Sequence, residues 1–91
     1  MASSGPLGSN FTIREAPGFL ERAIRLVGGA KRWDHEIGLN FYQRLCHKPD
    51  YGEVIVDGLR AISLLSDPPL TVYYLVIEDD RIIELAAIEE V

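Results

Sequence analysis

Cys46 and His47 stand side by side, with His35 upstream, and together they raise metal binding and thiol chemistry first. A structural zinc site needs four ligands in tetrahedral array. Neighbours on a helix point about 100° apart, so Cys46 and His47 do not readily chelate together, and no fourth ligand is in sight. A nucleophilic cysteine needs a base and an orienting group in space. His47 is adjacent in sequence but faces elsewhere, which leaves Cys46 as a half-buried structural thiol and His47 as a helix-end residue near the last carbonyls. Glu78-Asp79-Asp80 invites a cation reading, yet the spacing and glycine of a calcium loop are absent, and a solvated turn accounts for it. Gly28-Gly29 is not a phosphate cradle. Such loops follow a strand and lead into lysine-serine or lysine-threonine, whereas this pair follows a helical stretch. No catalytic residue, metal or cofactor is expected from these groups.

The whole chain has 91 residues and a net charge of −5, with 47% hydrophobic and 25% charged residues, which fits one globular domain. Residues 1–9 (MASSGPLGS) resemble a cloning leader with a cleavage scar, so they are expected to be a disordered tag remnant and the domain to span 10–91. The acidic balance argues against nucleic acid as partner. A single cysteine fits a reducing compartment. No apolar run reaches the roughly 18 residues of a membrane span, and the cytoplasm is the expected location. Arg14, Arg22, Arg25, Lys31, Arg32 and Arg44 spread over helix faces, where they either keep the helical layer wet or make a local positive patch.

What positions these groups is an α+β order. Residues 10–15 alternate Phe11 and Ile13 with Thr12 and Arg14, a short strand. Phe19, Leu20, Ala23, Ile24 and Val27 share one side of a first helix, closed by Gly28-Gly29. Trp33, Ile37, Phe41 and Leu45 recur every fourth residue in a second helix over 30–47. Gly38 within it suggests a close helix approach. Residues 53–57 carry Val54, Ile55 and Val56 and are either extended or merely anchored by them. Three strand-like runs follow, and Asp67-Pro68-Pro69 separates the first from the second. The fold expected is an N-terminal strand and a two-helix hairpin packed on an antiparallel β-sheet.

The last two runs form a hairpin across Glu78-Asp79-Asp80-Arg81. With Glu78 opposite Arg81, Val76 pairs Ile83, Tyr74 pairs Leu85 and Val72 pairs Ala87. One face then carries Leu70, Val72, Tyr74, Val76, Ile83, Leu85 and Ala87 and meets the helices. The other carries Thr71, Tyr73, Leu75, Ile77, Ile82, Glu84, Ala86 and Ile88. That second face is apolar enough to need cover, either by residues 10–15 or 54–56 or by a partner. Tyr73, Leu75, Ile77, Ile82 and Glu84 are the expected partner-binding residues, with Glu84 meeting a basic residue of that partner.

The order of elements, with PLTVYYLVIEDDRIIELAAI at its end, resembles the RelE/ParE superfamily of type II toxin–antitoxin toxins. The resemblance rests on Thr71-Val72-Tyr73-Tyr74, the acidic turn at 78–81 and the apolar strand at 82–88, and it covers residues 10–91. It implies a bacterial toxin held by an antitoxin that wraps it with helices or an added strand. RelE-like members cleave mRNA on the ribosome with basic residues, and ParE-like members are associated with gyrase inhibition. Where the resemblance expects lysines stand Ala61 and Ser63. Where it expects an arginine stands Thr71, and the basic tail is replaced by Glu89, Glu90 and Val91.

A toxin-family protein acting by protein binding, without the nuclease residues, is therefore expected. Its partners would be a cognate antitoxin or a second copy, with a cellular target protein besides. The alternatives are a non-toxic interaction or homodimerising module, and a ribosome-dependent mRNA endonuclease.

Overall fold

The structure is a computed structural model that describes residues 11–56 and 58–91; the expectation for residues 1–9 lies outside them. Five strands form one sheet in the order β1-β5-β4-β3-β2: β1 Thr12–Glu15, β2 Glu53–Val56, β3 Leu59–Leu64, β4 Leu70–Ile77 and β5 Ile82–Glu90. The α+β class holds, but the sheet is mixed rather than antiparallel throughout, because β1 runs parallel to β5. Of the two segments expected to cover the second sheet face, 10–15 and 54–56, neither residues 12–15 nor residues 54–56 fold over it. Both join the sheet as its two edges.

Helix α1 spans Phe19–Val27 and buries Phe19, Ala23 and Val27. Gly28, at φ 88°, ends it, and its N–H donates to the carbonyl of Ile24 at 3.0 Å, as a left-handed glycine cap does. The second helix starts with a π-helical segment, Arg32–Gly38, and continues as α2, Leu39–His47. Its buried residues are Trp33, Gly38, Phe41 and Leu45. Gly38 does not serve a close approach of two helices, as its sequence suggested. A Cβ there would lie 2.8 Å from the Trp33 carbonyl and 3.2 Å from the indole nitrogen. The glycine lets the wide turn close over the tryptophan of its own helix. Trp33 stands edge-on to Phe19 and to Tyr42, each at 6.2 Å, and so joins the two helices. Such aromatic pairs contribute about 0.5–1.5 kcal/mol beyond their area.

The helices cover one sheet face only. Their buried residues share a core with Ile62, Leu70, Val72, Tyr74, Ile83, Leu85 and Ile88. The hairpin register matches expectation from the turn inward: Ile77 pairs Ile82, Val76 pairs Ile83, and Tyr74 pairs Leu85. Beyond that point it departs. A β-bulge at Ala86 adds one residue to β5, so Tyr73 pairs Ala87 and Val72 pairs Ile88, not Ala87. Ile88 therefore belongs to the core at 2% exposure, while Ala87 turns to solvent. One inserted residue inverts the alternation. The inversion exchanges an alanine for an isoleucine in the core, which at about 0.8 kcal/mol per buried methylene favours the bulged register by roughly 2 kcal/mol.

Candidate functional site

The register sets out the second face, which no described helix or strand covers, as rows running across the strands. Thr12, Ile82 and Ile77 form the first row, and Arg14, Glu84, Leu75 and Leu59 the second. Ala87, Tyr73, Ala61 and Glu53 form the third, and Glu89, Thr71 and Ser63 the last. Tyr73, Leu75, Ile77, Ile82 and Glu84 thus share this face, and all five are half-buried. Ile88, counted on it from sequence, is on the other side.

Two polar contacts cross the apolar centre. Arg14, on β1 rather than on a helix face, donates from Nε (2.9 Å) and Nη2 (2.6 Å) to Glu84 Oε1. The basic residue that meets Glu84 is thus the chain's own. The arginine is 54% exposed, so the pair contributes about 0.2–1 kcal/mol. Tyr73 donates its hydroxyl proton to Glu89 Oε2 at 2.7 Å. That bond raises the phenol above its ordinary pKa, with desolvation and the charge of Glu89 acting in the same direction.

Ala61, Ser63 and Thr71, where the resemblance expects cations, meet in the last two rows beside Tyr73 and Glu89. Those two rows contain no lysine or arginine. Arg60 and Tyr74, their sequence neighbours, point to the helical face and perform a structural task. The buried Tyr74 hydroxyl accepts the Gly52 N–H at 2.7 Å and donates to the Pro49 carbonyl at 2.9 Å. Arg60 donates to the Gly52 carbonyl at 2.7 Å. A Cβ on Gly52 would fall 2.6 Å from the Ala61 carbonyl and 2.8 Å from the Tyr74 hydroxyl. Only glycine lets this chain cross so close to the sheet. No sequence signal short of the fold itself marks Gly52, Arg60 and Tyr74 as one latch.

Elsewhere the chemistry is quiet. Cys46 is half-buried, and burial raises its thiol pKa, which disfavours the reactive thiolate. Among the described residues no group of three or more His, Cys, Asp or Glu could hold a metal ion. No described helix is long and apolar enough to cross a membrane. A cavity of about 430 Å³ lies between α2 and the β3–β4 connection, lined in part by Arg32, Asn40, Arg44, Tyr51 and Ser66. Both arginines are engaged within the chain. Arg32 donates to the carbonyls of Val27 and Asp67, and Arg44 donates to the Tyr51 hydroxyl at 2.9 Å.

The architecture is similar to that of the E. coli toxin RelE in its free state, solved with two arginines replaced by alanine. The TM-score is 0.69 over 89% of this chain and 83% of that one, at 12% identity. The fold is RelE-like. No protein-family model matches the sequence, and no curated protein matches it either. Within the RelE-like fold, the second sheet face carries the half-buried Tyr73, Leu75, Ile77 and Ile82.

Proposed function

We propose that this chain is a diverged RelE-like toxin-family protein of a bacterial type II toxin–antitoxin module, cytoplasmic, acting by protein binding and not by RNA cleavage. One observation carries the reading: Ala61, Ser63 and Thr71 come together beside Glu89 with no cation in their rows. Cleavage of a phosphodiester of this kind calls for cations that hold the phosphate and stabilise the charge developing on it. Carboxylates repel both. Arg14, which reaches the same face, is held by Glu84.

The docking surface is the stripe Tyr73, Leu75, Ile77 and Ile82, with the Glu84–Arg14 pair beside it. Charge indicates the partner. Residues 10–49 hold seven basic and four acidic side chains, whereas residues 50–91, which include four of the five strands, hold two and ten. A segment with a balance of −8, against −3 for the five strands themselves, suits a basic amphipathic partner, such as an antitoxin helix or added strand, and steers it toward the sheet.

The test has two arms. Purified protein added to a translating extract should leave mRNA intact, and codon-specific cleavage above background would refute the reading. The product of a small neighbouring gene with a basic amphipathic tail should co-purify with the chain and fail to do so with Leu75→Glu. Capture that survives this substitution would move the docking surface elsewhere.

A further inference from the structure

The outer flank of the second helix carries side chains that the sheet face does not use. Arg32, Glu36, Asn40, Arg44 and Lys48 recur every fourth residue, about one turn apart, and form a ridge. Two cavities lie end to end along it. The first, of about 430 Å³, is the one between α2 and the β3–β4 connection, and Ile37, Phe41, Leu64 and Leu65 give it apolar walls. Leu65 is 100% exposed, the highest value among the described large hydrophobic residues. The second cavity, of about 400 Å³, lies toward the end of α2, against Gln43, His47 and Lys48. Asn40, Arg44 and Tyr51 line both, so the two make one trough. Its charge changes along its length. Glu36 and Asp67 line the first cavity beside Arg32, whereas the described residues around the second include Arg44, His47 and Lys48 and no carboxylate. Arg44 is held there by Tyr51: its Nη1 donates to the hydroxyl at 2.9 Å, and its Cζ lies 5.8 Å from the ring centroid. The other N–H groups of its fork have no hydrogen-bond partner among the described residues.

We infer that this trough docks an extended acidic peptide segment of a partner protein, with an apolar side chain in the first cavity and carboxylates on Arg44 and Lys48. Length, charge and polarity each select that occupant. A small molecule fills one cavity of this size, whereas two joined in line suit a chain. A nucleic acid strand carries a phosphate at every residue, and the carboxylates of Glu36 and Asp67 repel it at one end. A peptide places its charge at one end and an apolar residue at the other. Its apolar residue covers Leu65, and its carboxylates take up the unused donors of Arg44. Between them stand the exposed amides of Asn40 and Gln43, which offer donors and acceptors to a passing backbone. The helix sets the spacing. From the level of Ile37 and Phe41 to that of Arg44 and Lys48 is about seven residues, or about 10 Å of helix axis. An extended chain covers that in about three residues. The segment therefore has an apolar residue, two spacers and then two acidic residues. The trough shares no residue with the stripe Tyr73, Leu75, Ile77 and Ile82, and does not rest on the reading of that stripe.

A capped probe peptide of serines, with one leucine and a pair of glutamates beginning three positions after it, tests the trough by NMR titration of the isotope-labelled full chain. Amide signals of Asn40, Arg44, Tyr51 and Leu65 should move, and those of Tyr73 and Leu75 should not. Arg44→Gln and Lys48→Gln, both at exposed positions, should each weaken binding by up to about fivefold, the size of an exposed ion pair. Added salt should weaken it as well. A peptide with the glutamates placed before the leucine should bind less tightly than the probe, and so should a short oligouridylate. Leu65→Ser should lower affinity, and circular dichroism confirms that each variant is folded. Should Leu65→Ser disturb the β3–β4 connection, exchanging the probe's leucine for serine removes the same contact from the other side. Four results would each overturn the inference: no movement of the trough signals up to millimolar probe, equal binding of the reordered peptide, an affinity indifferent to both Arg44→Gln and Lys48→Gln, or tighter binding of the oligouridylate.

Discussion

Tyr73 and Tyr74 are adjacent on one strand and work on opposite sides of it. Tyr74 is fully buried under the helices, and its hydroxyl satisfies the backbone of Gly52 and Pro49. Tyr73 lies on the uncovered face and donates to a carboxylate at the surface. The same contrast runs along β4: Leu70, Val72 and Tyr74 are 0% exposed, while Thr71, Tyr73 and Leu75 are half-buried. Residue type separates the two faces only in part, since the second sets Tyr73, Leu75, Ile77 and Ile82 among Arg14, Thr71 and Glu84. What separates them is which face received the helices, and stability belongs to one side while recognition is open to the other.

Placing a charge on each face gives the largest expected difference. Val72→Glu should unfold the domain, because an unpaired carboxylate in the core costs more than the roughly 5–15 kcal/mol by which small domains are stable or must take up a proton to remain. Leu75→Glu should keep the fold. Circular dichroism on both variants measures the contrast, and loss of structure in Leu75→Glu would mean that both faces are core.

Truncation sharpens the position of the bulge. Leu85→Ala should cost about 2–5 kcal/mol in urea unfolding, and Ile88→Ala should fall in the same range, as large-to-small core changes do. Ala87→Ser, on the solvent side, should stay within about 0.5 kcal/mol. A neutral Ile88→Ala would restore the unbulged register in which Ala87 faces the core.

Removing each tyrosine hydroxyl gives a smaller difference. Tyr74→Phe leaves the Gly52 N–H without its partner and should cost about 1–3 kcal/mol, the penalty of an unsatisfied buried group. Tyr73→Phe should lie within about 0.5 kcal/mol.

Alkaline titration reads both sides at once. Burial is the first cause of the raised pKa of Tyr74 and of Tyr42, whereas the Glu89 hydrogen bond is the first cause for Tyr73. A raised folded-state pKa stabilises fully below the unfolded tyrosine value of about 10, and the contribution is lost as pH rises through the folded value. The tyrosine contribution to the unfolding midpoint should therefore be lost only above about pH 10. Phenolate absorbance in Glu89→Gln should show one tyrosine titrating earlier than in the wild type. An unchanged titration in that variant would mean that Tyr73 is not held by Glu89.

The helices and the hairpin were legible in the sequence because their signals are local. Trp33, Phe41 and Leu45 repeat at helical spacing, and alternation plus the turn at 78–81 sets the first four pairs of the hairpin. The position of Tyr73, Leu75, Ile77, Ile82 and Glu84 relative to one another followed from that same alternation. The parallel pairing of β1 with β5 did not. It joins Arg14 to Glu84, 70 residues apart, and nothing near either residue announces the other. Nor did the bulge at Ala86, which is a choice between two registers settled by how much of Ile88 the helical layer can bury. Gly38 and Gly52 were visible as glycines, but their reasons, an indole and a tyrosine hydroxyl pressed against the backbone, exist only once the chain is folded. The face that meets the helices, with Val72, Tyr74, Ile83 and Leu85, was read from the hairpin pattern and holds. That residues 12–15 and 53–56 join the sheet edges and do not cover its other face was decided by tertiary structure. Periodicity marks a residue as apolar on one side of an element, and only the packing of the other elements determines whether that side is core or surface.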